Sequence, residues 1–223
     1  SEYGPALASG DLDGNGLDDI VIGSSVKNIE QVFFQQPGGF IQRALVSDTA
    51  AKKADDMGIV LFDADNDGDL DIYIASGGYE SEANADAYQD RFYLNDGKGN
   101  FTPSPNAIPV NHTSKACVRA ADFDKDGDLD LFVAGRVLPT QYPKPVSSFI
   151  YRNESSNGVV RFSDVSNGVA KSLDSIGLVC DAVWTDFDND GWLDLIITGE
   201  WMSIKILKNV NGNLQDVTEQ AGV

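Results

Sequence analysis

Asp11, Asp13, Asn15 and Asp19 put side-chain oxygens at positions one, three, five and nine of a nine-residue phrase, DLDGNGLDD, with Gly16 at position six. Such a donor set suits a hard cation. Calcium takes six to eight oxygen ligands at roughly 2.3–2.6 Å, and alternate residues of a tight loop can aim several short carboxylates at one centre. The phrase returns three times: Asp63, Asp65, Asp67 and Asp71 in DADNDGDLD, Asp122, Asp124, Asp126 and Asp130 in DFDKDGDLD, and Asp186, Asp188, Asp190 and Asp194 in DFDNDGWLD. Position seven is Leu17, Asp69, Asp128 or Trp192, and is expected to ligate through its backbone carbonyl, which leaves the side chain free to vary. About four calcium ions, one per loop, are the expected cofactor.

Composition agrees with this chemistry. The chain holds 28 Asp and only 7 Glu, and 15 of the Asp fall at the proposed side-chain ligand positions. Asp, Asn and Gly also favour ordinary solvated turns, so one copy alone would say little. Four copies in one register require a common cause. An EF-hand needs a bidentate Glu at position twelve and flanking helices. Position twelve here is Ile22, Ile74, Val133 or Ile197, each inside a strand-forming run, so EF-hand and dockerin-type loops are excluded.

The loops start at 11, 63, 122 and 186, spacings of 52, 59 and 64 residues, which is a repeat architecture. In each repeat a strand rich in small residues enters the loop: Ala6 to Ser9, Met57 to Phe62, Cys117 to Ala121, Leu178 to Trp184. An apolar strand leaves it, centred on Val21, Tyr73, Phe132 and Ile196. A third strand follows at Val32 to Phe34, Phe92 to Leu94, Phe149 to Tyr151 and Ile204 to Leu207. Turns rich in Asn, Asp and Gly then lead to a short fourth strand near Phe40 to Leu45, Phe101 to Pro103, Val160 to Phe162 and Leu214 to Val217. Four antiparallel strands per repeat is the pattern of a β-propeller blade. The fold class is therefore all-β, one propeller domain over 1–223 with blades at about 4–46, 57–104, 116–165 and 178–218.

The loops and this strand order resemble the FG-GAP or VCBS repeats of integrin-like β-propellers over nearly the full length. Within that group the chain is similar to bacterial relatives of cartilage acidic protein, through Phe162-Ser163-Asp164-Val165-Ser166, through Leu214 to Val223 (LQDVTEQAGV), and through Gly135 to Pro145 (GRVLPTQYPKP). The resemblance implies a ring of seven or eight blades. A four-bladed chain is then expected to be part of a larger propeller, or to complete its ring with copies of itself. It also implies that ligands meet the face opposite the metal loops.

A formal charge of −19, falling to about −11 with four calcium ions bound, disfavours nucleic acid as a partner, and no basic patch opposes that. No apolar run approaches the roughly 20 residues a membrane-spanning helix needs. Ser1 to Gly10 does not resemble a signal peptide, and the start reads as a mature terminus or an internal boundary. Loops of this kind are most useful where calcium is abundant, so the expected location is extracellular, at the cell surface or periplasmic. Cys117 and Cys180 sit five and six residues before their loops, on opposite faces of regular strands, and are expected to be buried free thiols.

A calcium whose ligands are all protein groups has no open position for substrate, so its expected role is structural. Function is expected in the loops on the opposite face. Ser76 to Arg91 carries Tyr79, Tyr88 and Arg91; Gly135 to Ser148 carries Arg136, Tyr142 and Lys144; Trp201 holds the equivalent place in the fourth repeat. Tyr, Trp and Arg dominate binding hot spots, and aromatic faces also stack on sugars. The leading expectation is an adhesion or recognition module for a protein or glycan. The alternatives are a calcium-dependent polysaccharide lyase, relying on Arg136, Tyr142 and Lys144, and a purely structural propeller segment. Enzymatic readings find little support, because His112 is the only histidine and no catalytic elbow or phosphate loop is present.

Overall fold

The computed structural model describes residues 5–45 and 52–222, so the first-blade limits at 4 and 46 lie outside the described residues. Among the described residues sixteen strands form four separate four-stranded antiparallel sheets, each in simple sequence order. The first holds β1 (Leu7–Gly10), β2 (Asp19–Ile22), β3 (Gln31–Gln36) and β4 (Gly39–Ala44), and the second β5 (Asp55–Phe62), β6 (Asp71–Gly77), β7 (Arg91–Leu94) and β8 (Thr102–Pro103). The third holds β9 (Ser114–Ala121), β10 (Asp130–Val137), β11 (Phe149–Asn153) and β12 (Phe162–Asp164), and the fourth β13 (Leu178–Thr185), β14 (Asp194–Glu200), β15 (Lys205–Asn209) and β16 (Leu214–Asp216). Every carboxylate loop joins the first strand of its sheet to the second. Antiparallel order puts all four at one end, together with the β3–β4 type hairpins.

The sheets stack face to face in sequence, and the strand period decides which residues meet. On β2 and its equivalents, alternate side chains point to the sheet before and the sheet after. Val21, Tyr73 and Phe132 point forward, while Ile72, Ile74, Leu131, Val133, Leu195 and Ile197 point back, all into the same three apolar clusters. One cluster lies at each junction. Leu12, Val21, Val32 and Phe34 of the first sheet meet Ile59, Ile72, Ile74 and Tyr93 of the second. Strands buried on both faces explain why the second strands read as unbroken apolar runs. Gly58 marks where neighbouring first strands touch backbone to backbone, since a Cβ there would lie 2.9 Å from the Cα of Cys117.

Polar locks close the other end of each junction. Between the first two sheets, Arg91 and Lys52 pair with Glu30 and Asp56, two carboxylates whose side chains are almost wholly buried. Burial opposes ionisation of Glu30, but the Arg91 guanidinium outweighs it and holds that carboxyl at about 2. Between the second and third, Lys115 Nζ lies 3.2 Å from Asp90, which also accepts the Tyr73 hydroxyl at 2.6 Å. Between the third and fourth, Arg136 reaches Glu200 at 2.8 Å. Removing one member of a buried pair strands the other charge, so the first two locks fix the stacking register, while at the third Glu200 is partly open to solvent.

The strands and the cysteines depart from the sequence reading at two points. β5 and β9 begin at Asp55 and Ser114, earlier than hydrophobicity marks, because their first turns carry the polar locks. Cys117 is buried, its thiol pushed up to about 12 by burial, but Cys180 is exposed, not the buried thiol expected. A bulge between Val179 and Asp181 turns it out of register.

Candidate metal centres and the opposite face

All four loops share one backbone design. Position six has φ of 84° at Gly16, 97° at Gly68, 100° at Gly127 and 87° at Gly191, a conformation that only glycine adopts without strain. Position four is also left-handed, at Gly14, Asn66, Lys125 and Asn189. The position-one carboxylate organises the turn: Asp11 accepts the N–H groups of Gly14, Asn15 and Gly16, and Asp63, Asp122 and Asp186 likewise accept the position-six N–H.

Three carboxylates converge in each loop. Oxygens of Asp11, Asp13 and Asp19 lie within 4.8 Å of one another, as do those of Asp63, Asp65 and Asp71, of Asp122, Asp124 and Asp130, and of Asp186, Asp188 and Asp194. Four buried carboxylate oxygens there, Asp65 Oδ1, Asp69 Oδ1, Asp122 Oδ1 and Asp124 Oδ1, have no hydrogen-bond partner. Buried, unpartnered anionic oxygens cost free energy unless a cation meets them, so these residues fit a bound hard cation. Position five stands slightly apart. Asn15, Asp67, Asp126 and Asp190 each accept the N–H of position seven at 2.8–3.1 Å; Asp67 and Asp126 keep a second oxygen for a metal, whereas the second oxygen of Asp190 faces Lys208 and Asn15 offers a single amide oxygen.

Position nine does a second job. Asp19, Asp71, Asp130 and Asp194 are buried, and each accepts the position-two N–H and the N–H of a residue ending the third strand, Gln35, Asn95, Asn153 or Asn209. The asparagines then clasp the preceding sheet: Asn95 Nδ2 donates to Leu12 O at 2.9 Å, Asn153 Nδ2 to Ala64 O at 3.0 Å, and Asn209 Nδ2 to Phe123 O at 2.7 Å. Metal loop, third strand and neighbouring sheet are thus one hydrogen-bonded unit. The sequence offered a signal for these asparagines, an Asn closing the third strand in three of the four repeats, but Asn is also a common turn residue.

Burial raises Asp71 and Asp130 to about 7 and Asp69 to about 6; nearby carboxylates add to this, and for Asp71 and Asp130 backbone N–H donors oppose it. Protons therefore compete with calcium, and calcium affinity is expected to fall as pH drops through about 7. In metal-free protein the sign reverses. A carboxyl whose folded pKa is raised contributes stability that is complete below its unfolded pKa and is lost as pH rises through about 7. Melting at pH 5.5 and at pH 8 should therefore shift in opposite directions with calcium and with chelator.

The loops also differ in charge. Lys208, just before Asn209, contacts Asp188 and lies 2.9 Å from Asp190; Arg152, just before Asn153, lies 2.8 Å from Asp124. Phe34 and Leu94 hold these places in the first two sheets. A tethered cation within a few ångströms competes with a divalent ion, so loops three and four should bind more weakly. Replacing Lys208 with Met is expected to tighten calcium at the fourth loop by about tenfold, read by calorimetric titration.

The residues marked for the opposite face separate into two groups. Tyr88 is buried and hydrogen-bonds through its hydroxyl to Ser81, and Arg91 belongs to the first polar lock beside a cleft of about 300 Å³. Tyr79 is exposed on its own loop. Arg136, Tyr142 and Trp201 do come together. Trp201 Nε1 donates to the Tyr142 hydroxyl, which lies 3.4 Å from the same Glu200 that pairs with buried Arg136. His112 faces Asp86 at 3.6 Å, on another loop.

Stacked four-stranded sheets, each with a carboxylate loop between its first two strands, define an all-β repeat protein of the β-propeller blade type. The FG-GAP-like repeat family matches residues 11–74 and 81–133, more than half of the sequence, and the chain belongs to that family. No curated protein matches it. Among solved structures it resembles the V. cholerae biofilm matrix protein Bap1 at 14% identity and a TM-score of 0.41; the match covers 95% of this chain and 30% of that one. Among the described residues no helix is long and apolar enough to cross a membrane.

Proposed function

We propose that this chain is an extracellular, calcium-stabilised propeller segment that serves as a binding or adhesion module, with calcium as a structural element. One observation carries the reading: four carboxylate clusters, each with one buried member, stand at one end of the stack, tied by hydrogen bonds to the strands, while exposed aromatic side chains stand at the other. Holding the loops commits the metal ligands to architecture and leaves the opposite face to meet a protein or glycan. Membership of the FG-GAP-like repeat family supports an adhesion-type role. The lyase alternative is less well supported, since Arg136 is buried against Glu200 and Tyr142 already engages Trp201.

Further blades, or copies of this chain, are proposed as structural partners. Ile20, Ile22 and Phe33 occupy the positions that in the other sheets pack against the preceding neighbour, and Ile196 and Ile206 those that pack against the following one. Phe187 is 39% exposed, whereas its equivalents Leu12, Ala64 and Phe123 are buried beneath the next sheet. Such faces suit another four-stranded sheet.

Retention of the chain on an array of matrix proteins and polysaccharides, with calcium and with chelator, tests the binding role. Calcium-dependent retention on at least one surface is expected; retention on none would overturn the reading. Ultraviolet-absorbing product from a uronate polymer would favour the lyase.

A further inference from the structure

We propose that Trp201, Tyr142 and Glu200 form a stacking platform for the pyranose ring of a neutral polysaccharide; this rests on the binding-module reading and names its ligand. Trp201 follows β14, and Tyr142 lies in the loop after β10, so two adjacent sheets contribute at the end opposite the metal loops. Trp201 is 77% exposed and Tyr142 49%. Trp201 reaches from the fourth sheet to Tyr142 of the third, so the pair bridges that junction.

The rings are held in place through their polar ends. Buried Arg136 fixes Glu200 at 2.8 Å, Glu200 faces the Tyr142 hydroxyl, and that hydroxyl accepts the Trp201 indole N–H. Trp201 also has φ of 54°, a left-handed conformation unusual for a bulky residue. Strain of that kind persists only where surrounding contacts impose it, and it gathers at ligand sites. With the indole N–H already used, what faces water is a flat aromatic surface that need not be ordered again on binding.

The surroundings select the ligand. A pyranose offers a face of C–H groups to an aromatic ring and hydroxyls at its rim. Here the Glu200 carboxylate accepts the Tyr142 hydroxyl, and the neighbouring Gln141 and Lys144 of the same loop, in contact with each other, are exposed. Arg136 is buried and paired with Glu200, Lys144 is the single exposed cation of that loop, and the chain keeps about −11 with four calcium ions bound, so an anionic polymer gains no guanidinium clamp and meets net repulsion.

Affinity electrophoresis of the full chain in calcium, through gels containing dextran, mannan, galactan, xyloglucan or polygalacturonate, tests the platform. At least one neutral polymer should retard the wild type, and Trp201→Ala should weaken that retardation by about tenfold or more. Tyr142→Phe, which keeps the ring and frees the indole N–H, should weaken it less. Melting temperatures of both variants should stay near wild type. Retardation unchanged in Trp201→Ala would overturn this site yet leave the binding role standing. Retardation only by polygalacturonate, or retention only on proteins in the array, would overturn the ligand class. Binding to nothing in either assay would overturn both.

Discussion

Removing calcium should lower the melting temperature of this chain by about 20 °C or more, and restoring it should recover the loss. Each loop gathers three carboxylates within 4.8 Å, and unscreened pairs at that distance repel by about 3–4 kcal/mol at an effective dielectric near 20. Partial protonation relieves part of this: burial, with neighbouring carboxylates adding to it, raises Asp71 and Asp130 to about 7. A cation relieves the rest. An ion at a concentration one hundred times its dissociation constant adds about 2.7 kcal/mol per site, and for a domain of this size each kcal/mol moves the midpoint by about 2–4 °C. Four sites thus contribute as much as the whole stability of an ordinary domain. Differential scanning calorimetry with calcium and with excess chelator measures the difference; coincident transitions would contradict it.

Asp130→Ala should be the most damaging single substitution in the loops. Its carboxylate is buried and accepts N–H groups from Phe123 at 3.3 Å and Asn153 at 2.8 Å. Truncation leaves two buried donors unpaired, at about 1–3 kcal/mol each, and removes a metal ligand as well. A total of about 3–6 kcal/mol is expected, enough to bring a marginally stable domain close to unfolding. Trp192→Ala, at position seven of the fourth loop, loses only a contact with Lys125 over its ring at 4.2 Å and should cost less than about 1 kcal/mol. Urea melts of the two variants in calcium give the comparison, and equal costs would show that position nine has no special role.

Much of this arrangement was legible in the sequence because it repeats. The phrase D-x-D-x-D/N-G-x-x-D marked the loops, and the strands could be counted outward from them. Val21, Tyr73 and Phe132 read as buried because strands packed on both faces lose the usual alternation. The features that escaped depend on contacts between repeats. Asn95, Asn153 and Asn209 looked like turn residues, and their clasp on the preceding sheet exists only once the sheets are stacked. The polar locks were hidden likewise, since Glu30 and Arg91 lie 61 residues apart. Tyr88, marked as a surface residue, is buried because its hydroxyl finds Ser81 within its own loop.

The central claim is that the repeated carboxylates hold calcium and that calcium holds the stack. Equilibrium dialysis of metal-stripped chain against calcium, followed by elemental analysis, tests it most directly. The four carboxylate clusters predict close to four ions per chain, with one lost in Asp130→Ala. Less than one tightly held ion per chain would contradict the account.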